Sequence, residues 1–157
     1  MKQKVRLDTF SIMLSGIVLI ILLCTLHFTN SVLIISIITA VVIIWGSLAL
    51  YYMPLSISVE NGDLCVNCPF RTKRISSEEI NYIERLQPQK SDRRIFGSYG
   101  WFGYWGCYKG RTLGKYIAYY GNASDCFIVR LRNGRQYVLG CDNPEAIVSY
   151  IKSEVSF

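Results

Sequence analysis

The chain has 157 residues, 51% of them hydrophobic, and a formal net charge of +6 at pH 7. This length accommodates one compact domain with a small accessory region and excludes two full domains. The single histidine, His27, lies in an apolar stretch, which excludes imidazole-dependent nucleophilic or general-base chemistry in the rest of the chain.

Residues 9–59 contain no Asp, Glu, Lys or Arg, and this stretch is long enough for two membrane-spanning helices of about 20 residues each. We predict a helical hairpin with spans at 10–28 and 32–53, a polar turn at 29–31, and an end imposed by Pro54. A cleaved signal peptide is disfavoured because the first span exceeds a signal core and lacks a small-residue cleavage site. A soluble helical core is disfavoured because the remaining chain is too short to wrap both helices.

Basic residues flank the hairpin on both sides. They are Lys2, Lys4 and Arg6 before the first span, and Arg71, Lys73 and Arg74 after the second. Because basic flanks remain on the cytoplasmic side, we predict a multi-pass protein of the bacterial cytoplasmic membrane with both termini in the cytoplasm.

In that reducing compartment the six cysteines are most simply free thiols packed as small hydrophobes. Cys65 and Cys68 form a C-x-x-C pair, but one pair supplies two of the four ligands of structural zinc. Residues three apart on a strand also point to opposite faces. We therefore expect no metal and no other cofactor.

After Pro54 the hydrophobic period changes from that of a helix to that of a strand. Apolar and polar residues alternate over 55–60, Asn61-Gly62 predicts a two-residue hairpin turn, and a second strand is expected at 63–68. Residues 70–75 are predicted to be extended, and Ser76 with Glu79 is typical of a capping box that starts one short helical turn.

Three further strand-like runs, 115–122, 125–134 and 135–143, are separated by turn residues and predict an antiparallel meander. In the middle run Phe127, Val129 and Leu131 share one face while Arg130 takes the other, as expected for a sheet with one face in water.

The C-terminal segment predicts a helix that begins with Asn143 as cap and Pro144 as first residue. Its apolar stripe consists of Ile147, Tyr150, Ile151 and Val155. We expect a curved sheet of about six or seven strands whose open end is plugged by this helix.

The apolar hairpin, the run "RRIFGSYGWFGYWGCYKG" and the run "LRNGRQYVLGCDNPEAIV" together resemble bacterial pleckstrin-homology-like (PH) domains on small two-span membrane proteins. The resemblance implies a roll-like domain capped by a C-terminal helix, and it implies no activity. The expected fold is therefore an α+β membrane protein. Residues 1–54 form the transmembrane hairpin, and residues 55–157 form a cytosolic, mainly antiparallel β PH-like roll with its helical cap.

Glycines at 97, 100, 103 and 106 alternate with aromatic residues, and their spacing matches neither a dinucleotide-binding loop nor a P-loop. Two interpretations stay open. The glycines allow positive φ angles or close backbone contact, or the aromatic rings and neighbouring cations touch the lipid interface. The candidate membrane or partner surface consists of Arg93, Arg94, Trp101, Phe102, Trp105, Lys109, Arg111 and Lys115.

No set of residues indicates catalysis, so we expect a non-enzymatic binding or scaffolding module that acts through a protein partner or lipid head groups. The alternative is a structural subunit that assembles through the hairpin, where Ser11 with Ser15 and Ser36 with Ala40 have small-xxx-small spacing. Expected partners are the bilayer and a protein partner or a second copy of the chain. Nucleic acid is not expected, because the cations are spread over several strands.

Overall fold

A computed structural model describes residues 1–89 and 91–154 of the chain. Two helices, α1 (Thr9–Phe28) and α2 (Val32–Tyr52), form the predicted hairpin, with the predicted turn at 29–31. They have 20 and 21 residues and mean hydropathies of 2.5 and 2.6, so both are long and apolar enough to cross a membrane. Only 6% of each apolar window is buried, and the rest of the chain therefore does not wrap them.

The first sheet has four antiparallel strands in sequence order: β1 (Lys2–Lys4), β2 (Ser56–Glu60), β3 (Asp63–Asn67) and β4 (Thr72–Ile75). Asn61 and Gly62 have φ angles of 53° and 84°, which confirms the predicted hairpin turn. The sequence analysis missed β1, because Lys-Gln-Lys has no apolar pattern and joins β2 through its backbone. The N-terminal strand thus pairs with the β domain, and the predicted domain boundary at 54/55 stays a prediction.

The second sheet has six strands: β5 (Ile80–Arg85), β6 (Arg93–Gly100), β7 (Gly103–Gly110), β8 (Gly114–Tyr120), β9 (Cys126–Leu131) and β10 (Gln136–Gly140). Their order is β5-β9-β10-β8-β7-β6. The predicted meander is wrong at one point, because β8 lies parallel to β10, with Ala118 opposite Val138. β9 is already paired with β10 on one side and β5 on the other, so only the outer edge of β10 is open to β8.

The hydrophobic core lies between the two sheets, which replace the single sheet of six or seven strands that the sequence predicted. Phe127, Val129 and Leu131 point into this core as expected. However, Ile128 on the opposite face is only 3% exposed and belongs to a second buried cluster, rich in tyrosine. The prediction of one face in water is therefore wrong for this sheet.

The helix α3 (Pro144–Glu154) packs on β5 and β9 and closes the core. Asn143 Oδ1 accepts a hydrogen bond from Ala146 N at 3.1 Å, which confirms the predicted cap. Ile147 and Ile151 are fully buried, but Tyr150 is 41% exposed and does not belong to the stripe. Val155 lies outside the described residues.

A short 3-10 turn forms at Ser77–Glu79, where one helical turn was predicted. Ser76 precedes it, but its side chain makes no capping hydrogen bond. The predicted capping box is therefore wrong, and the turn is closed by the backbone bond from Glu79 N to Ser76 O.

Candidate functional site

The Gly/aromatic segment is a β-hairpin: β6 and β7 are joined by Trp101 and Phe102. Gly97 lies opposite Gly106 and Gly100 opposite Gly103, and all four glycines have φ angles between 95° and 119°. A Cβ atom at Gly97 would lie 2.0 Å from the carbonyl oxygen of Trp105. These angles and this close approach confirm the interpretation that the glycines accommodate the backbone.

The tip of the hairpin lies against the beginning of α1. A Cβ atom at Gly100 would be 3.2 Å from the ring of Phe10 and 3.6 Å from Leu14. In the turn, Phe102 follows Trp101, and its backbone N–H donates a hydrogen bond to Ser15 Oγ at 3.4 Å. The tip therefore packs on Phe10 and Leu14 of α1, and Ser15 satisfies one of its backbone donors.

Aromatic stacking joins the same hairpin to α2. Trp101 stacks on Trp45 with ring centroids 6.1 Å apart, and Trp105 stacks on Tyr52 at 5.2 Å. Trp105 is only 5% exposed and belongs to the buried core cluster, so it lines the groove described below and not an open surface; its role in binding stays a prediction. All three tryptophans of the chain thus lie where the β domain meets the helices.

The strand β6 lies beside both helices, since Gly100 approaches Phe10 near the start of α1 and Arg94 lines a groove with α2. A groove of about 270 Å³ separates β6 from α2. Its lining residues are Trp45, Leu48, Arg94, Ile95, Phe96, Gly97 and Trp105. Trp45 precedes the last residue of α2, Tyr52, by seven positions, or about 10 Å along the helix. The groove therefore lies within about 10 Å of the end of α2.

The predicted cations gather at the other end of the β6–β7 hairpin. Arg93 lies opposite Lys109, which lies opposite Lys115; Arg111 follows in the exposed turn after β7. Like charges on directly opposed residues destabilise a sheet. Among the described residues no carboxylate forms an ion pair with this row, and the row is therefore suited to bind an anionic surface.

Arg94 lies apart from that row, at the rim of the groove, where its Nη1 donates to Gly97 O at 3.2 Å. Trp101 and Phe102 are half-buried at the opposite end of the hairpin. They follow Gly100, the last residue of β6, which is seven residues from Arg93, or about 23 Å along the strand. The structure thus divides the predicted surface into a cationic end and an aromatic tip.

Sequence analysis missed the exposed apolar residues of β6. Ile95 is 54% exposed, Phe96 63% and Tyr99 42%, and β6 is the outermost strand of its sheet. Ile95 and Phe96, directly after two arginines, were the available signal in the sequence. Only the order of the strands shows that these residues lie on the edge of the six-stranded sheet. Large apolar residues on an open edge strand indicate a contact surface.

A tyrosine cluster supports the hairpin from the outer face of the sheet. Tyr108 stacks on Tyr116, and Tyr104 stacks on Tyr120. The Tyr116 hydroxyl donates to the buried carboxylate of Asp92 at 2.9 Å. Burial raises the pKa of Tyr116 far above its usual range, so this hydroxyl stays protonated and remains a donor at neutral pH.

All six cysteines are free thiols, as predicted. Cys65 is buried in β3, and burial raises the pKa of Cys68, whose Sγ lies 3.7 Å from Tyr52 O, to about 11. In the described part of the chain no three His, Cys, Asp or Glu residues are grouped as a metal would require.

A model of the bacterial PH domain matches residues 55–155. No curated protein matches the chain, and no solved structure does. The matched range includes every strand from β2 to β10 and the helix α3, which are the elements that build the two-sheet core and carry the β6–β7 hairpin. The chain therefore belongs to the bacterial PH domain family, and two apolar helices precede its PH domain.

Proposed function

We propose that this protein is a two-span membrane protein whose PH domain is a non-catalytic binding module for lipid head groups. The observation that carries the proposal is the position of β6, which lies beside α1 and α2 and leaves Ile95 and Phe96 exposed there. Membership of the bacterial PH domain family supports a binding or scaffolding role.

The lengths of the helices support a position of β6 at the lipid head groups. A helix of 21 residues is about 32 Å long, close to the roughly 30 Å of a bilayer's hydrocarbon core. If α1 and α2 span that core, their ends lie at the interface and β6 lies beside them. Burial in lipid of a side chain such as Phe96 is then worth up to about 1.5–3 kcal/mol.

The charges favour the cytoplasmic leaflet. Lys2 and Lys4 lie on β1 and Arg71 follows β3, so basic residues flank the membrane hairpin on the side of the PH domain. Each cation of the row formed by Arg93, Lys109 and Lys115 contributes on the order of 1 kcal/mol of attraction to an anionic leaflet. Both termini therefore lie in the cytoplasm in this proposal.

In this proposal the chain neither catalyses a reaction nor binds nucleic acid. His27 lies in the last turn of α1, at the end remote from β1 and β2. The exposed cations adjoin the apolar edge of β6, an arrangement that suits a charged bilayer surface better than a nucleic-acid groove.

A structural subunit that assembles through the hairpin is the second candidate, favoured by the exposure of Ser36 and Ala40 on α2. Their spacing allows close packing of another helix. Ser11 and Ser15 are not available for this purpose, because Ser11 is fully buried and Ser15 accepts a hydrogen bond from the hairpin tip. A substitution such as Ala40→Leu is expected to dissociate such an assembly and to leave lipid contact by β6 unchanged.

Site-directed fluorescence tests the proposal in the full chain reconstituted in vesicles. A bimane label is attached to Phe96→Cys, in a background where the exposed Cys24 and Cys107 are replaced. The matched control is Glu84→Cys on β5, the opposite edge of the six-stranded sheet. Lipids with a nitroxide on the head group are expected to quench the label at position 96 much more strongly than at position 84. Equal quenching at the two positions would refute the proposal.

A further inference from the structure

Two cavities meet at Trp45. The first is the groove between β6 and α2 described above. The second is an apolar cleft of about 350 Å³ between α1 and α2, lined by Val18, Leu22, Val41, Val42, Trp45 and Trp101. Their sizes are close to the lower limit of typical ligand sites, roughly 300 Å³. Trp45 lines both cavities, so they lie next to each other, and together they are called the path below.

The groove combines apolar walls with two hydrogen-bond donors. Trp105 is 5% exposed, and its Nε1 has no acceptor among the described residues, although a buried indole N–H usually has a partner. At the rim, Arg94 uses one N–H for Gly97 O and has four further donors. A ligand with an oxyanion beside an apolar body complements both groups.

The depth of the path matches one leaflet of a bilayer. Val41 precedes the end of α2 by eleven residues, or about 16 Å, and half of a hydrocarbon core is about 15 Å. Arg94 lines the groove together with Leu48, which precedes the end of α2 by four residues, or about 6 Å. A molecule that fills both cavities therefore has its charged group at the head-group level and its apolar part in the same leaflet.

We propose that the groove and the cleft together bind one anionic phospholipid. Its phosphate contacts Arg94, an ester or phosphate oxygen accepts from Trp105 Nε1, and one acyl chain lies in the cleft beneath Trp45 and Trp101. The positive charge of Arg94 disfavours the ammonium group of a zwitterionic lipid, because like charges repel. This inference rests on the proposed membrane position of the helices and adds a discrete, selective site to it.

The intrinsic fluorescence of the chain reports on this path, because its three tryptophans, Trp45, Trp101 and Trp105, all line it. The full chain is reconstituted in phosphatidylcholine vesicles that contain a small, equal mole fraction of brominated phosphatidylglycerol or brominated phosphatidylcholine. We expect the brominated phosphatidylglycerol to quench tryptophan fluorescence several-fold more strongly.

Single substitutions distinguish binding of one lipid at this site from a general attraction of the protein's cations to an anionic bilayer. Arg94→Gln is expected to bring the ratio of the two quenching efficiencies close to one. Arg130→Gln, which removes an exposed cation from β9, four strands away from β6, is expected to keep the wild-type ratio. Trp105→Phe keeps an aromatic ring at this position but removes the N–H donor, so the remaining two tryptophans should report a lower ratio.

The outcomes distinguish this inference from the proposed function. Equal quenching of the wild type by both lipids, or a wild-type ratio in Arg94→Gln, overturns the discrete site and leaves the membrane position intact. If neither brominated lipid quenches the tryptophans, the discrete site and the proposed position of the PH domain on the bilayer are both overturned.

Discussion

The close approach of β6 and β7 predicts that Gly97→Ala destabilises the protein strongly. A Cβ atom at Gly97 would lie 2.0 Å from Trp105 O and 2.7 Å from the Cα atom of Gly106. The two strands must therefore separate by about 1 Å or more to reach ordinary contact distances. The φ angle of 115° is also one that an alanine adopts only with strain.

The expected magnitude follows from these two effects. A residue with a side chain in this φ region costs about 1–3 kcal/mol, and each ladder hydrogen bond lost as the strands separate costs about 0.5–1.5 kcal/mol. We expect a loss of about 2–4 kcal/mol in the free energy of unfolding. For a chain of this size, 1 kcal/mol corresponds to about 2–4 °C, so Tm should fall by roughly 4–16 °C.

Thermal unfolding of the full chain in detergent, followed by tryptophan fluorescence, measures this effect. The matched control is Gly134→Ala, because Gly134 also has a positive φ, 80°, but no atom within 4 Å of its Cβ position. That variant carries only the left-handed strain of about 1–2 kcal/mol. If both variants lower Tm equally, the close approach of the strands contributes nothing and the reasoning is wrong.

Three further predictions concern stability. Tyr116→Phe leaves the buried Asp92 carboxylate without its donor at 2.9 Å, and chemical denaturation should show a loss of about 1–3 kcal/mol. Asn143→Ala removes the cap of α3 and should cost about 1 kcal/mol in the same assay; no change would mean that the cap does not stabilise the helix. Burial raises the pKa of the Cys68 thiol to about 11 and that of Cys141 to about 12, from 9.0. Below pH 9 these thiols are protonated in both the folded and the unfolded chain. Above pH 9 the thiols of the unfolded chain lose their protons at a lower pH than those of the folded protein. The free energy of unfolding should therefore fall as pH rises from 9 toward 11, and urea denaturation at pH 8 and pH 10 checks this.

The helical hairpin and the terminal helix were predictable because their signals are local. The absence of charged residues over 9–59 and the helix-ending Pro54 determine α1 and α2 almost to the residue. Asn143 and Pro144 mark the start of α3 in the same way. Hydrophobic period and capping chemistry act within a few residues, so one sequence is sufficient to recognise them.

The β6–β7 hairpin had a signal that is easily missed. Its glycines are placed symmetrically about Trp101-Phe102, so that Gly97 meets Gly106 and Gly100 meets Gly103 across the strands. Because glycine has no side chain, this symmetry interrupts the alternation of period two that normally reveals a strand. The sequence analysis therefore predicted no strand in this segment.

The remaining features depend on contacts between distant residues. Ala118 pairs with Val138 in the parallel arrangement of β8 and β10, and no local pattern distinguishes this pairing from a meander. Trp45 and Trp101 are far apart in the chain, yet they stack where the PH domain meets the helices. Such contacts follow from the packing of whole elements, so a single sequence did not reveal the groove.

Labelling of thiols in intact bacterial cells tests the account most directly. An impermeant maleimide should label Asn30→Cys, in the turn between α1 and α2, because the account places this turn on the outer side of the membrane. Cys107, exposed on β7, should react only after the cells are lysed. Labelling of Cys107 in intact cells, or protection of position 30 until lysis, would contradict a membrane hairpin that holds the PH domain on the cytoplasmic face.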